Sequence, residues 1–157
     1  TVFQGAPRQS RNANADGVTV NVNLGLIDYV RDDDELAAVM AHEFAHNVLR
    51  HRDRLNAAGT SRGVLGIGRG VSSIRQTEVE ADRLRPYLMD RAGYDPAAAV
   101  RFWTRYGPRP LNFLRSRDHP GWRERVGLMQ AEIAKIRAAR AAGREPVPDF
   151  VTLPVPA

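Results

Sequence analysis

The stretch MAHEFAHNVL, residues 40–49, sets His42 and His46 four residues apart, with Glu43 directly after the first histidine. On an α-helix that spacing stacks both imidazoles on one face, about 40° apart around the axis. Two imidazoles so placed aim a nitrogen each at one zinc ion. Glu43 lies beside them, within reach of a water on the metal but not itself a ligand. Zinc draws the pKa of such a water toward about 7, where a neighbouring carboxylate takes the proton. The plain alternative is a helix with two ordinary histidines. Leu36, Val39, Met40, Phe44, Val48 and Leu49 surround the motif, so the helix is largely buried. Two partnerless imidazoles there would cost stability, which favours the metal.

A catalytic zinc needs a third protein ligand and one open position. TEVEAD, residues 77–82, offers Glu78 and Asp82 on one helix face, while Glu80 points about 200° away from Glu78. Glu78 is the expected third ligand. Asp82 is expected to accept the outer N–H of a ligating histidine and fix its tautomer. The alternative is a solvated acidic face paired with Arg75 or Arg85. Its place downstream of H-E-x-x-H tips the reading toward the ligand. His51 follows His42 by nine residues, which on a continuous helix turns it about 180° away. It is read as a packing or hydrogen-bonding residue.

The elements that must position these groups are legible in outline. Residues 1–16 are polar and aperiodic, an opening segment that is extended in part. GVTVNVNLGL, 17–26, alternates Val18, Val20, Val22 and Leu24 against polar residues, a strand with one buried face. Asp32, Asp33, Asp34 and Glu35 provide the cap and first turn of a helix expected over about 34–55. Residues 59–70 hold Gly59, Gly63, Gly66, Gly68 and Gly70 and form a loop, either a lid or a surface connector.

A second helix is expected over about 73–92, stopped by Gly93 and bent or thinned at Pro86. Asp95-Pro96 starts a third, ending near Gly107. His119-Pro120 starts a fourth, with Trp122, Val126, Met129, Ile133 and Ile136 at helical spacing up to Gly143. Residues 144–157 read as a Pro-rich extended tail, leaving one domain over 1–143, of which 1–11 is an opening segment.

The bulk numbers narrow the class. With 157 residues, 43% hydrophobic and 26% charged, the chain suits one globular domain. No window approaches the run of about 18 apolar residues that a membrane span requires. The chain contains no cysteine, so a metal must be held by His, Asp or Glu. The net charge of +5 is almost entirely arginine, Lys135 being the one lysine. The arginines are scattered and form no stripe interleaved with aromatics, so nucleic-acid binding is not favoured.

HEFAH with a following RH, then RQTEVEADRL and LMDRAGYDP, then HPGWRER resemble the gluzincin metallopeptidases that include HtpX, BepA, Oma-type proteases and the type I CAAX prenyl proteases. NANADG and VNLGLIDYVRDDDELAAVMAHE are also similar to that family's strand, turn and helix. The resemblance runs from about Asn12 to about Met129. It implies an α+β, mainly helical zincin-like domain with an active-site helix and a small sheet whose edge strand lines the cleft.

The same resemblance implies a zinc endopeptidase holding one ion through His42, His46 and Glu78, with Glu43 as base. His119 and Arg125 fall on the family's His-Pro and arginine positions. His119 is then a fourth ligand or switch at the open position, with helix capping as its alternative, and Arg125 lies in the catalytic cleft. Strand 18–24 would receive an extended substrate as an added strand, which suits unfolded or misfolded proteins. Membrane spans found elsewhere in the family are missing from this sequence. The periplasmic BepA-like branch is the nearer fit, implying an extracytoplasmic location with envelope or outer-membrane partners. A competing reading is a zinc-binding, chaperone-like module with little proteolysis. Two departures stand out: Pro86 inside the Glu78 helix, and Asp118 before His-Pro.

Overall fold

Asp32 starts the helix that carries the histidine pair. Its side chain accepts a hydrogen bond from the Glu35 backbone N–H at 2.8 Å. Asp33, Asp34 and Glu35 fill the first turn of that helix, α2 (Asp33–Val48), at the positive end of its dipole. The computed structural model describes residues 11–59, 69–108 and 121–150. Around α2 stand α4 (Arg69–Arg91), α5 (Ala97–Tyr106) and α6 (Trp122–Ala141). α2 packs on α4 and α5, and α6 packs on the same two, so the four helices enclose one core.

That core joins Ala38, Met89, Ala98, Ala99 and Met129, with at least one residue from each helix. Fully buried alanines let the backbones approach closely, and the methionines fill the gaps between them. A second cluster, Ala45, Ala81, Leu84, Tyr87 and Ile136, ties α2 to α4 and α6. It holds α2 and α4 in the register the site requires.

The helix stops follow the local chemistry. Gly93 adopts φ +82° after α4, and the N–H of Tyr94 reaches back to the Met89 carbonyl at 3.0 Å. α4 runs through Pro86 without ending. Asp95 accepts from the Ala97 N–H at 2.9 Å ahead of α5. Beyond α6, Asp149 pairs with Arg83 at 3.2 Å and Lys135 at 3.0 Å. The Arg83 guanidinium also sits 3.8 Å from the Phe150 ring centroid, so this stretch lies against α4 and α6.

Two elements differ from expectation. The strand over 17–26 shrinks to β2 (Val20–Val22), paired antiparallel with β1 (Ala13–Ala15). Asp16 takes over the residues before it: Oδ1 accepts from the N–H groups of Val18 and Thr19 at 2.9 and 2.7 Å, and Gly17 sits at φ +103°. That side-chain turn leaves Val18 90% exposed. Leu24, expected to continue the strand, begins the single-turn helix α1 (Leu24–Ile27). Val22, Leu26, Val39 and Phe102 form the cluster that seats this hairpin on α2 and α5.

The second difference lies in the helix expected over 34–55. It breaks after Val48, and α3 (His51–Ala57) leaves in a new direction. Arg50 makes the break in the left-handed region, at φ 52° and ψ 39°. A non-glycine residue there costs about 1–2 kcal/mol, so the change of direction must be repaid by contacts further on.

Candidate metal centre

The contact between α2 and α4 assembles the site. Nε2 of His42 and Nε2 of His46 lie 3.2 Å apart. From α4, Glu78 sets Oε2 3.4 Å from His42 Nε2 and Oε1 3.4 Å from His46 Nε2. A tetrahedral zinc with bonds of about 2.0–2.1 Å separates its donors by about 3.3–3.4 Å. The histidine pair meets that spacing, and a different Glu78 oxygen meets it toward each ring. They are the one group of His, Asp and Glu among the described residues with the mutual proximity to hold an ion. Side-chain exposures of 9% for His42, 17% for His46 and 12% for Glu78 describe a recessed centre.

Electrostatics prepare the two histidines differently. Burial, reinforced by the charge of His42, pushes His46 down to about 3, which leaves it neutral with a lone pair to give. Burial and the Arg85 charge also press on His42, but its hydrogen bonds to Asp82 and Glu78 outweigh them and raise it. Burial, with the nearby Glu78 charge, raises Glu43 above the ordinary carboxylate value, while His42, Arg85 and Arg125 pull the other way. A carboxylate so raised is better matched to accepting a proton near neutrality.

Behind His42 sits a buried charge cluster. Asp82 Oδ1 is 3.2 Å from His42 Nδ1, with the Asp82 side chain at 0% exposure. Arg85 hydrogen-bonds to the same Asp82 oxygen, and Arg125 donates from Nε to Oδ2 at 2.5 Å and from Nη2 to Oδ1 at 2.9 Å. Burial alone would raise Asp82, but Arg125 and then Arg85 outweigh it and hold it far below the usual carboxylate range. Arg85 Nη2 also lies 2.7 Å from His42 Nδ1, so that nitrogen faces both a donor and an acceptor. A ring presenting Nε2 to a metal carries its proton on Nδ1 and must donate it. Asp82 is then the partner, and Arg85 bonds to Asp82 alone.

Arg125 is buried with its guanidinium 3.9 Å from the Trp103 ring centroid and 3.6 Å from Glu78 Oε2. The structure therefore brings together His42, His46, Glu78, Asp82 and Arg125, with Glu43 beside His42 on α2. His119 lies outside the described residues, as do 60–68 of the Gly-rich loop. The alternative partners of the acidic face divide. Arg75 pairs with Glu124 at 2.5 Å, whereas Arg85 joins Asp82 without displacing it from His42.

His51 hydrogen-bonds, as expected, but toward the site and not away from it, because α2 does not run on as one straight helix. After the break at Arg50, His51 is only 2% exposed, with Nδ1 2.8 Å from His46 Nδ1 and Nε2 3.0 Å from Glu80 Oε2. The 180° argument assumed one straight helix, and no glycine or proline marks the turn. The RH that closes the motif helix was the available signal, since a histidine beside an α-helical metal motif has short-range access to it once the helix bends.

Comparison with known proteins agrees with this geometry. Residues 2–63, which include His42, Glu43 and His46, match the sequence profile of Peptidase family M48. The Mitochondrial metalloendopeptidase OMA1 of Schizosaccharomyces pombe is 28% identical over 147 residues, 79% of this chain and 44% of that protein. The Beta-barrel assembly-enhancing protease of Escherichia coli O157:H7 is 30% identical over 139 residues, 66% of this chain and 28% of that protein. The chain thus spans less than half the length of the curated relatives it matches. No solved structure matches it.

Proposed function

We propose that this chain, whose residues 2–63 match Peptidase family M48, is a zinc-dependent endopeptidase that cuts unfolded or misfolded polypeptides. The observation that carries the reading is the convergence of His42 and His46, Nε2 to Nε2 3.2 Å, with one Glu78 oxygen 3.4 Å from each, and a raised Glu43 next in sequence to His42. The metalloprotease class agrees with the names of the relatives; zinc is inferred from the His-His-Glu donor set. One ion held there supplies Lewis acidity toward a water and a substrate carbonyl. Glu43 takes the proton released from the attacking water and passes it to the leaving amine. Asp82 fixes the His42 ring, and Arg125 adds positive charge where negative charge develops on the substrate oxygen.

The hairpin supports strand addition as the mode of substrate binding. Asn23 N–H bonds to Asn12 O at 2.9 Å and Asp16 N–H to Thr19 O at 3.3 Å, so the alternation turns the backbone groups of Val20 and Val22 outward from β2. Asn47, one residue after His46, bonds to the hairpin at Gly17 N and Thr19 O, at 2.8 and 3.1 Å. Recognition through backbone groups tolerates many sequences.

No helix among the described residues is long and apolar enough to cross a membrane. The beta-barrel assembly-enhancing proteases among the relatives support the proposal of an extracytoplasmic, periplasmic place and envelope substrates. His119 is proposed to occupy or gate the open metal position. Residues 1–143 are proposed as the catalytic domain, with 144–157 as an appended tail.

The test is cleavage of an unfolded protein with and without chelator. Activity should stop on chelation and return with zinc. Glu43→Gln should lower it by about 100-fold or more while zinc content persists. A zinc-loaded parent that binds unfolded protein without cutting it would point to a chaperone-like module instead.

A further inference from the structure

His46 needs a partner for its outer nitrogen as much as His42 does, and Asp82 serves only His42. We propose that His51 and Glu80 form a relay that locks His46 in the tautomer presenting Nε2 to the metal, so that both are positioning residues for the centre. This rests on the metal-site reading above and adds residues to it that neither ligate nor touch substrate.

The order of donors follows from the contacts. A neutral imidazole carries one proton, and Nε2 of His46 must be bare to ligate, so its proton sits on Nδ1. That nitrogen lies 2.8 Å from His51 Nδ1, which must then accept. The His51 proton is thereby placed on Nε2, 3.0 Å from Glu80 Oε2, an atom that only accepts. The reverse order fails at the same point: a bare His51 Nε2 would meet a carboxylate oxygen with no proton between them.

Glu80 is anchored to play this part. Arg54 donates to its two oxygens at 2.5 and 3.2 Å, and Gln76 donates to Oε1 at 3.0 Å. The relay thus ends on a carboxylate from α4 that Arg54 of α3 holds in place. Each ligating histidine then has a carboxylate at its back, directly for His42 and through one imidazole for His46. The contacts of His51 also offset the left-handed turn at Arg50, which brings it inward.

The test uses the intact chain and two readouts. In the metal-free protein at about pH 8, ring 15N shifts should place the proton on Nδ1 of His46 and on Nε2 of His51. Zinc affinity, measured by chelator competition, should fall about 10–100-fold in His51→Leu. His51→Gln, whose amide both accepts and donates, should recover most of that loss. A His46 proton on Nε2 overturns the relay whether or not the variants fold. So does a His51→Leu affinity within about twofold of the parent while His46→Ala abolishes binding, or a Gln variant no better than Leu. If His46→Ala itself leaves zinc affinity unchanged, the metal-site reading fails and the relay with it.

Discussion

Asp82 Oδ1 stands 3.2 Å from Nδ1 of His42 and shares its carboxylate with two buried arginines, Arg85 and Arg125. One side chain therefore orients a candidate ligand and shares its single negative charge between two guanidiniums that have almost no solvent. Asp82→Ala should lower zinc affinity by about 10–100-fold through the loss of His42 orientation. It should also cost about 3–5 kcal/mol, because both guanidiniums lose their buried counter-charge. Chelator competition and urea unfolding measure the two effects separately. An unchanged affinity with a large stability loss would reduce Asp82 to a structural role.

The ligand set makes a sharper demand. His46→Ala and Glu78→Ala should each strip most bound zinc, since a tetrahedral site with two protein donors holds the ion weakly. Elemental analysis of the purified variants decides this. Zinc at the parent's level in either variant removes that residue from the set.

Acid sensitivity should appear away from the metal, at the start of α2. Glu35 is buried and accepts from Arg105 on both oxygens at 2.6 Å and from the Arg31 N–H at 2.9 Å. Burial works to raise it, but the hydrogen bonds from Arg105 and Arg31 prevail and lower it from 4.5. A carboxyl lowered on folding stabilises the native state above its unfolded value and loses that contribution as pH falls through the folded one. Stability should therefore fall as pH drops below about 4.5, and Glu35→Gln should flatten this slope. The same variant should cost roughly 2–3 kcal/mol at neutral pH, less than a fully buried pair loses because Arg105 keeps some solvent. Denaturation midpoints across pH 3–7 (roughly the titration range of a carboxylate) report both outcomes.

The break between α2 and α3 can be probed at Arg50, whose exposed side chain pairs with Asp53 at 2.9 Å. Arg50→Gly should be neutral or stabilising by up to about 1 kcal/mol, because glycine adopts the left-handed region without penalty. Arg50→Val should lose about 1–2 kcal/mol for the opposite reason. Thermal melts of the metal-free forms rank the three. A valine variant as stable as the glycine one would mean the turn is not held in that conformation.

Part of this architecture follows from local rules alone. Asp32 as cap, His42 and His46 on one face, Glu78 and Asp82 on another, and Gly93 as a stop depend on side-chain identity and a period of 3.6 residues. Those rules single out His42, His46 and Glu78 as candidate donors and Asp82 as the carboxylate behind His42. The tertiary structure decided what has no local marker. No glycine or proline announces the turn at Arg50, so periodicity carried the helix past it and faced His51 away from the site. Only the approach of α4 places Glu80 where it draws His51 in. The hairpin shows the same division. Alternating valines signalled a strand, but Asp16 bonding to the backbone of Val18 and Thr19 competed for its first residues, and Leu24 turned into helix. Likewise, Arg85 and Arg125 meet at Asp82 because α4 and α6 pack side by side, a contact across 43 residues from Asp82 to Arg125 that no spacing rule contains.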